Sequence, residues 1–173
     1  MTFPNHQRRR FATAALLTPL LLAGCATRPG PRGFGAVDEG REVVSRLSVD
    51  QANDVTIYAV SLVGTPYRYG GNTPEGGFDC SGLINYIYLT STGVRLPRTS
   101  GEMAALDKPK VDESQLASGD LVFFGRGHVT HVGVYVGKGR FVHAPNSGGT
   151  VRLDDLDGAY WKANFVYGRR VLN

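Results

Sequence analysis

From residue 119 onward the apolar residues of this chain recur at every second position, whereas upstream they follow a helical period. That change of period constrains the fold more than any single motif does. "GDLVFFGR" (119–126) reads as a strand, and "HVGVYVGKGRFVHAP" (131–145) as a hairpin closed by a Gly-Lys-Gly turn. "GTVRLDD" (149–155) and "NFVYGRRVL" (164–172) add two strands, separated by a short turn or helix around "LDGAYW". Upstream, Val55, Tyr58, Ala59, Leu62 and Val63 make one apolar face of a helix over about 49–63. Ser48 and Gln51 form a capping-box pattern at its start, and Gly64 and Pro66 end it. The Gly-rich loop "GTPYRYGGNTPEGGF" follows. "DCSGLINYIYLTSTG" reads as a second helix capped by Asp79, with Leu83, Ile84, Ile87 and Tyr88 inward. "LPRTSGEMAALD" gives a short third helix with Thr99 and Glu102 as its capping box. Helices first and hairpin-linked strands after predict an α+β fold, with N-terminal helices packed on an antiparallel sheet of about five strands.

The N-terminus has a different character. Arg8, Arg9 and Arg10 precede an apolar stretch from Phe11 to Leu22, then Ala23, Gly24 and Cys25. This is the order of a secretory signal. The apolar stretch, broken by Pro19, is shorter than the roughly 20 residues that a membrane span needs. "LAGC" resembles a bacterial lipobox, which makes residues 1–24 a lipoprotein signal peptide and Cys25 the lipidation site. "RRRF" fits part of a twin-arginine signal, so export by that route or by the general one stays open. Ala26 rather than Asp follows Cys25, which favours an outer-membrane destination facing the periplasm in a diderm cell. Residues 25–47 read as the lipidated cysteine and a tether, and residues 48–173 as one domain.

Removing residues 1–24 leaves 16 basic against 15 acidic residues, and no basic stripe interleaved with aromatics. Nucleic acid is therefore excluded as a partner class. Cys80 is then the one thiol of an exported chain that acylation does not account for. A cysteine in the first turn of a helix faces unpaired backbone N–H groups that favour its thiolate, and a nearby imidazole would take its proton. On the strand "HVGVYVG", His131, Gly133 and Tyr135 share one face and Val132, Val134 and Val136 the other. A register centred on Lys138 sets Gly133 opposite His143, so His143 is a diagonal neighbour of His131 at about 7–8 Å. A one-residue slip would send it to the opposite face. His128, in a Gly-flanked turn, reads as an exposed loop residue. The Cys and His residues lack compact metal-ligand spacing, so neither a metal nor another cofactor is expected.

"GTPYRYGG", "FDCSGLINYIY", "LPRTSGEM", "GDLVFF", "HVGVYVG" and "FVHAP", in this order, resemble the NlpC-type cell-wall cysteine peptidases, as does the closing "YWKANFVYGRRVL". The resemblance spans roughly residues 50–171. It implies a papain-like α+β fold with Cys80 as nucleophile, His131 as general base and then acid, and His143 as the residue that orients His131. It implies that Tyr67 serves the oxyanion or substrate. The loop before Cys80 is one residue longer than in some close family members, which leaves Tyr69 as the alternative. Asp79 and Ser81 are implied as substrate-binding candidates. The expected reaction is hydrolysis of peptidoglycan stem peptides between D-glutamate, through its γ-carboxyl, and the diamino acid. The expected partners are those stem peptides, the membrane through the anchor at Cys25, and a regulatory envelope protein. Two other readings stand beside it: a same-fold amidase or acyltransferase on another exported amide or lipid, and a non-catalytic peptidoglycan-binding lipoprotein.

Overall fold

The computed structural model describes residues 39–146 and 149–172, with side chains from Ser48 onward. The predicted signal peptide, Cys25 and most of the predicted tether lie outside the described residues. Helix α1 runs Glu39–Ser61 and buries Val55 and Ala59. It starts well before the expected cap at Ser48. No proline interrupts the backbone between Glu39 and Ser48, so the Ser48–Gln51 spacing lies inside a continuous helix. None of the described helices is long and apolar enough to cross a membrane.

The Gly-rich loop forms a small hairpin, β1 (Asn72–Thr73) with β2 (Gly77–Phe78), and leads directly into α2 (Cys80–Thr92). The Asp79 carboxylate caps α2, accepting the Gly82 N–H at 2.7 Å, and Gly93 ends it in the left-handed region at φ 73°. The loop sits so close to the helix that a Cβ on Gly82 would lie 2.1 Å from the Gly71 carbonyl oxygen. Leu83, Ile84, Ile87 and Tyr88 are fully buried, and the Tyr88 hydroxyl donates to the Gly119 carbonyl, tying α2 to the start of the sheet. Helix α3 (Ser100–Ala104) carries the predicted capping box between Thr99 and Glu102.

The sheet has six strands, β3 (Lys110–Val111), β4 (Leu121–Phe124), β5 (His131–Gly137), β6 (Arg140–His143), β7 (Arg152–Asp155) and β8 (Phe165–Arg169). Their order is β3-β8-β4-β5-β6-β7, antiparallel throughout. The strand beyond the expected five is β3, whose two residues are too short to show a period. One face of the sheet packs Leu121, Phe123, Val132, Val134 and Val142 against α1 and α2. The opposite face gathers Val122, Phe124, Phe141 and Leu156 beneath α4 (Ala159–Asn164), which brings in Trp161.

Pairing of Val134 with Val142 and Tyr135 with Phe141 is the register centred on residue 138, with an irregularity nearer the turn. Gly133 lies where a Cβ would come 2.7 Å from the Phe141 ring and 3.3 Å from the His143 Cβ, so a side chain there would collide with the face that carries His143.

Candidate active site

Cys80 opens α2 and is largely withdrawn from solvent against the core. It is a free thiol that receives backbone N–H groups from Val132, Ser81 and its own residue. Val132 directly follows His131, so the helix start and the start of β5 meet at the sulfur. Burial is the largest influence on this thiol and pushes its pKa up, with the Asp79 charge adding to it. The N–H groups oppose the rise without overcoming it. The helix start therefore does not give the lowered thiol pKa expected from its position alone.

His131 and His143 lie on the same face of β5 and β6. The Nε2 of His131 and the Nδ1 of His143 are 2.9 Å apart, with the rings nearly perpendicular at 86°. The Nε2 of His143 meets the Asp154 carboxylate at 3.1 Å. Asp154 also accepts the Trp161 indole N–H at 2.8 Å and the Arg152 guanidinium at 2.7 Å. Trp161 stacks on His131 at 5.3 Å and stands edge-on to His143 at 4.6 Å. His143 is fully buried.

Burial, the neighbouring His143 and Arg152 push His131 down to about 3, against a weaker upward pull from Asp154. Burial likewise takes His143 down to about 4, although Asp154 works to raise it. Burial works to raise the Asp154 carboxyl, but hydrogen bonds from Trp161, Arg152 and His143 outweigh it and hold it below the usual range. At neutral pH both imidazoles are uncharged and Asp154 is ionised.

Asp154, Arg152 and Trp161 were not singled out from the sequence. The alternation of β7 puts Arg152 and Asp154 on one face, and Asp154 pairs with Phe141, beside His143. That signal depends on the β6–β7 register, which the sequence alone does not set. Trp161 had no such signal, because its place depends on how α4 folds over the sheet.

On the other side of the thiol lies a cleft of about 480 Å³, bordered by Tyr67, Tyr69, Cys80, Ser81, Arg98 and Thr130, with Asp79 beneath. Burial, then the charges of Cys80 and Asp79, raise the Tyr67 pKa, which places its hydroxyl in the electrostatic reach of the thiol. Tyr69 borders the same cleft and is 89% exposed. The Asp79 carboxylate is engaged on every side. It accepts Arg98 at 2.6 and 3.0 Å, Gly82 N–H at 2.7 Å, Gly70 N–H at 3.0 Å and the Ser81 hydroxyl at 3.3 Å. The Ser81 hydroxyl in turn accepts Arg98 at 2.9 Å. His128 is an exposed loop residue, as expected.

A thiol at a helix start, meeting the strand that carries an imidazole on an antiparallel sheet, is the arrangement of the papain-like class. Comparison with known proteins narrows it. Residues 64–170 match the NlpC/P60 family, and the chain belongs to that family. It is 46% identical over 114 residues to the murein DD-endopeptidase MepH of Escherichia coli K12, covering 64% of this chain and 42% of that protein. It is 41% identical over 127 residues to the bifunctional muramidase/DL-endopeptidase CwlT of Bacillus subtilis 168, covering 70% of this chain and 37% of that protein. The chain thus spans less than half the length of these two relatives. The crystal structure of an NlpC/P60 family protein from Bacillus cereus ATCC 10987 superposes with a TM-score of 0.66 at 34% identity, covering 70% of this chain and 40% of that one.

Proposed function

We propose that this protein is a cysteine endopeptidase that hydrolyses peptidoglycan stem peptides at the amide between the D-glutamate γ-carboxyl and the diamino acid. The observation that carries the mechanism is the hydrogen-bonded chain His131–His143–Asp154. Asp154 is ionised and can only accept, so Nε2 of His143 carries a proton and donates it. Nδ1 of His143 is then an acceptor, and Nε2 of His131 must donate to it. The remaining nitrogen of His131, Nδ1, keeps its lone pair for the thiol. An acceptor at the far end of the chain thus fixes the tautomer of the base.

In the resting site the thiol and imidazole are both neutral, as burial dictates for each. Sγ of Cys80 attacks the scissile carbonyl carbon while its proton passes to Nδ1 of His131. The Cys80 N–H and the Tyr67 hydroxyl hold the oxyanion, with Tyr69 at the outer edge of the cleft. Collapse of the tetrahedral intermediate breaks the C–N bond, and His131 returns the proton to the departing amine. Water, deprotonated by His131, then attacks the thioester, releasing the carboxylic acid and restoring the thiol. Asp79 and Ser81 serve the substrate cleft by holding Arg98 at its wall, since the Asp79 carboxylate has no oxygen left for a substrate amine. No metal or cofactor enters this scheme.

The resemblance of MepH supports a second bond, a D,D cross-link, as the alternative target. Export and lipid anchoring through Cys25 complete the reading and would place the domain at the wall. The deciding experiment incubates the chain lacking residues 1–25 with purified muropeptides beside Cys80→Ala, reading products by mass spectrometry. Cleavage by the wild type alone, between D-glutamate and the diamino acid, is the expected result. Cleavage only at cross-links moves the bond, and cleavage by neither protein overturns the assignment.

A further inference from the structure

On the His131 side of the thiol a second cleft, of about 500 Å³, runs past Thr130, His131, Trp161, Asn164 and Arg126. Thr130 borders both this cleft and the one holding Cys80, so the two adjoin at Thr130, next to His131. The proposed hydrolysis gives this cleft a polarity. The group that protonates the leaving amine must touch it, so the departing fragment lies on the side that His131 lines.

We propose that Arg126 is a specificity-determining residue whose guanidinium receives a carboxylate of the departing, diamino-acid-containing fragment. This inference rests on the hydrolytic reading above. Among the described residues no carboxylate lines the cleft, and with His131 neutral Arg126 is the one fixed charge there. The adjoining hollow along Tyr160 and Trp161 ends at Arg152, which is already paired with Asp154.

Arg126 also differs from an ordinary surface arginine in how it is held. Its Nε donates to Oδ1 of Asn164 at 2.9 Å, and Asn164 is 6% exposed. The Nδ2 of Asn164 donates to the Tyr160 carbonyl at 2.6 Å, and its backbone carbonyl accepts the Gly125 N–H at 2.9 Å. The turn that carries Arg126 is closed by the Thr130 N–H on the Phe124 carbonyl at 3.0 Å. A buried amide thus fixes the guanidinium at one nitrogen and leaves its two terminal nitrogens without a partner among the described residues. That is a pre-oriented fork of the kind that binds carboxylates. The fragment released from the stem begins at the diamino acid and offers such carboxylates at its C-terminus and on the diamino-acid side chain.

The test measures binding, independently of turnover. Cys80→Ala protein is titrated calorimetrically with an intact stem peptide and with two versions carrying a carboxamide, one at the C-terminus and one on the diamino-acid side chain. One amidation should weaken binding about tenfold or more, the scale of a lost charge-assisted hydrogen bond. The loss should shrink at high salt. It should disappear when Arg126→Gln is added, because the unmodified peptide then binds as weakly as the amide. Equal binding of all three peptides, binding of none, or a preference that survives Arg126→Gln overturns the proposal. The hydrolytic reading stands or falls separately, on Cys80-dependent cleavage of muropeptides.

Discussion

At Asp154 one carboxylate oxygen takes hydrogen bonds from His143, Trp161 and Arg152, which makes it the anchor of the tautomer chain. Asp154→Ala should lower kcat on the order of tenfold or more, with KM little changed. The measurement is steady-state kinetics across pH, because losing the acceptor frees the His143 proton and alters the pH–rate profile as well as its height. A purely structural loss would lower the profile without reshaping it. The thiol makes a second prediction at this scale. Burial raises the Cys80 pKa, so alkylation by iodoacetamide without substrate should be slow at neutral pH and should rise to a midpoint above that of a free cysteine. A midpoint below neutrality would show a resting ion pair instead. Cys80, His131 and His143 were legible in the sequence because a helix cap and a two-residue period fix where they point. Asp154 was not, because its partner is reached only through a second strand pairing. The occupied state of Asp79 was also hidden, since Arg98 reaches it from a separate loop.

Among the elements, the union of the Gly-rich loop with α2 does most to place the thiol. Gly82→Ala would drive a Cβ into the Gly71 carbonyl, a backbone atom that cannot rotate away. It should cost about 1–3 kcal/mol, the range for overpacking, and should reduce activity by shifting the α2 start. Urea unfolding and turnover measured together check this; unchanged stability would mean the loop yields. The elements themselves were largely readable. Asp79 and the Thr99–Glu102 box mark helix starts by side chains that satisfy backbone N–H groups, and both caps are present. The first helix begins earlier than its expected start, because Ser48 resembles a cap where nothing stops the backbone. The sixth strand was missed because two residues of β3 gain their pairing from β8, not from their own pattern.

Over the whole molecule, the two buried imidazoles couple function to acid stability. Both have pKa values depressed in the folded state, to about 3 and about 4. The unfolded chain takes up those protons near pH 6.5 while the folded chain does not. Stability is therefore full above about pH 6.5 and falls as the pH drops toward 4, by up to ~1.4 kcal/mol per pH unit for each histidine. Asp79 and Asp154, held below the usual carboxylate range, add their loss only at lower pH. Urea denaturation at pH 7, 5.5 and 4.5 should show this slope, and His143→Gln should flatten it; a flat wild-type profile would show that the pair is solvated.

The chain of three residues has a consequence for the family's variation. Position 143 must accept from His131 and donate to position 154, which a neutral histidine does through its two nitrogens and an amide does through its oxygen and NH₂ group. An ionised acid at 143 could accept from His131 but would have nothing to donate, and a second carboxylate at 154 would repel it. Positions 143 and 154 should therefore covary: an acidic residue at 154 belongs with histidine or an amide at 143, and should vanish from lineages that place a carboxylate there. An alignment in which the two positions change independently would show that the tautomer of His131 is set by other means.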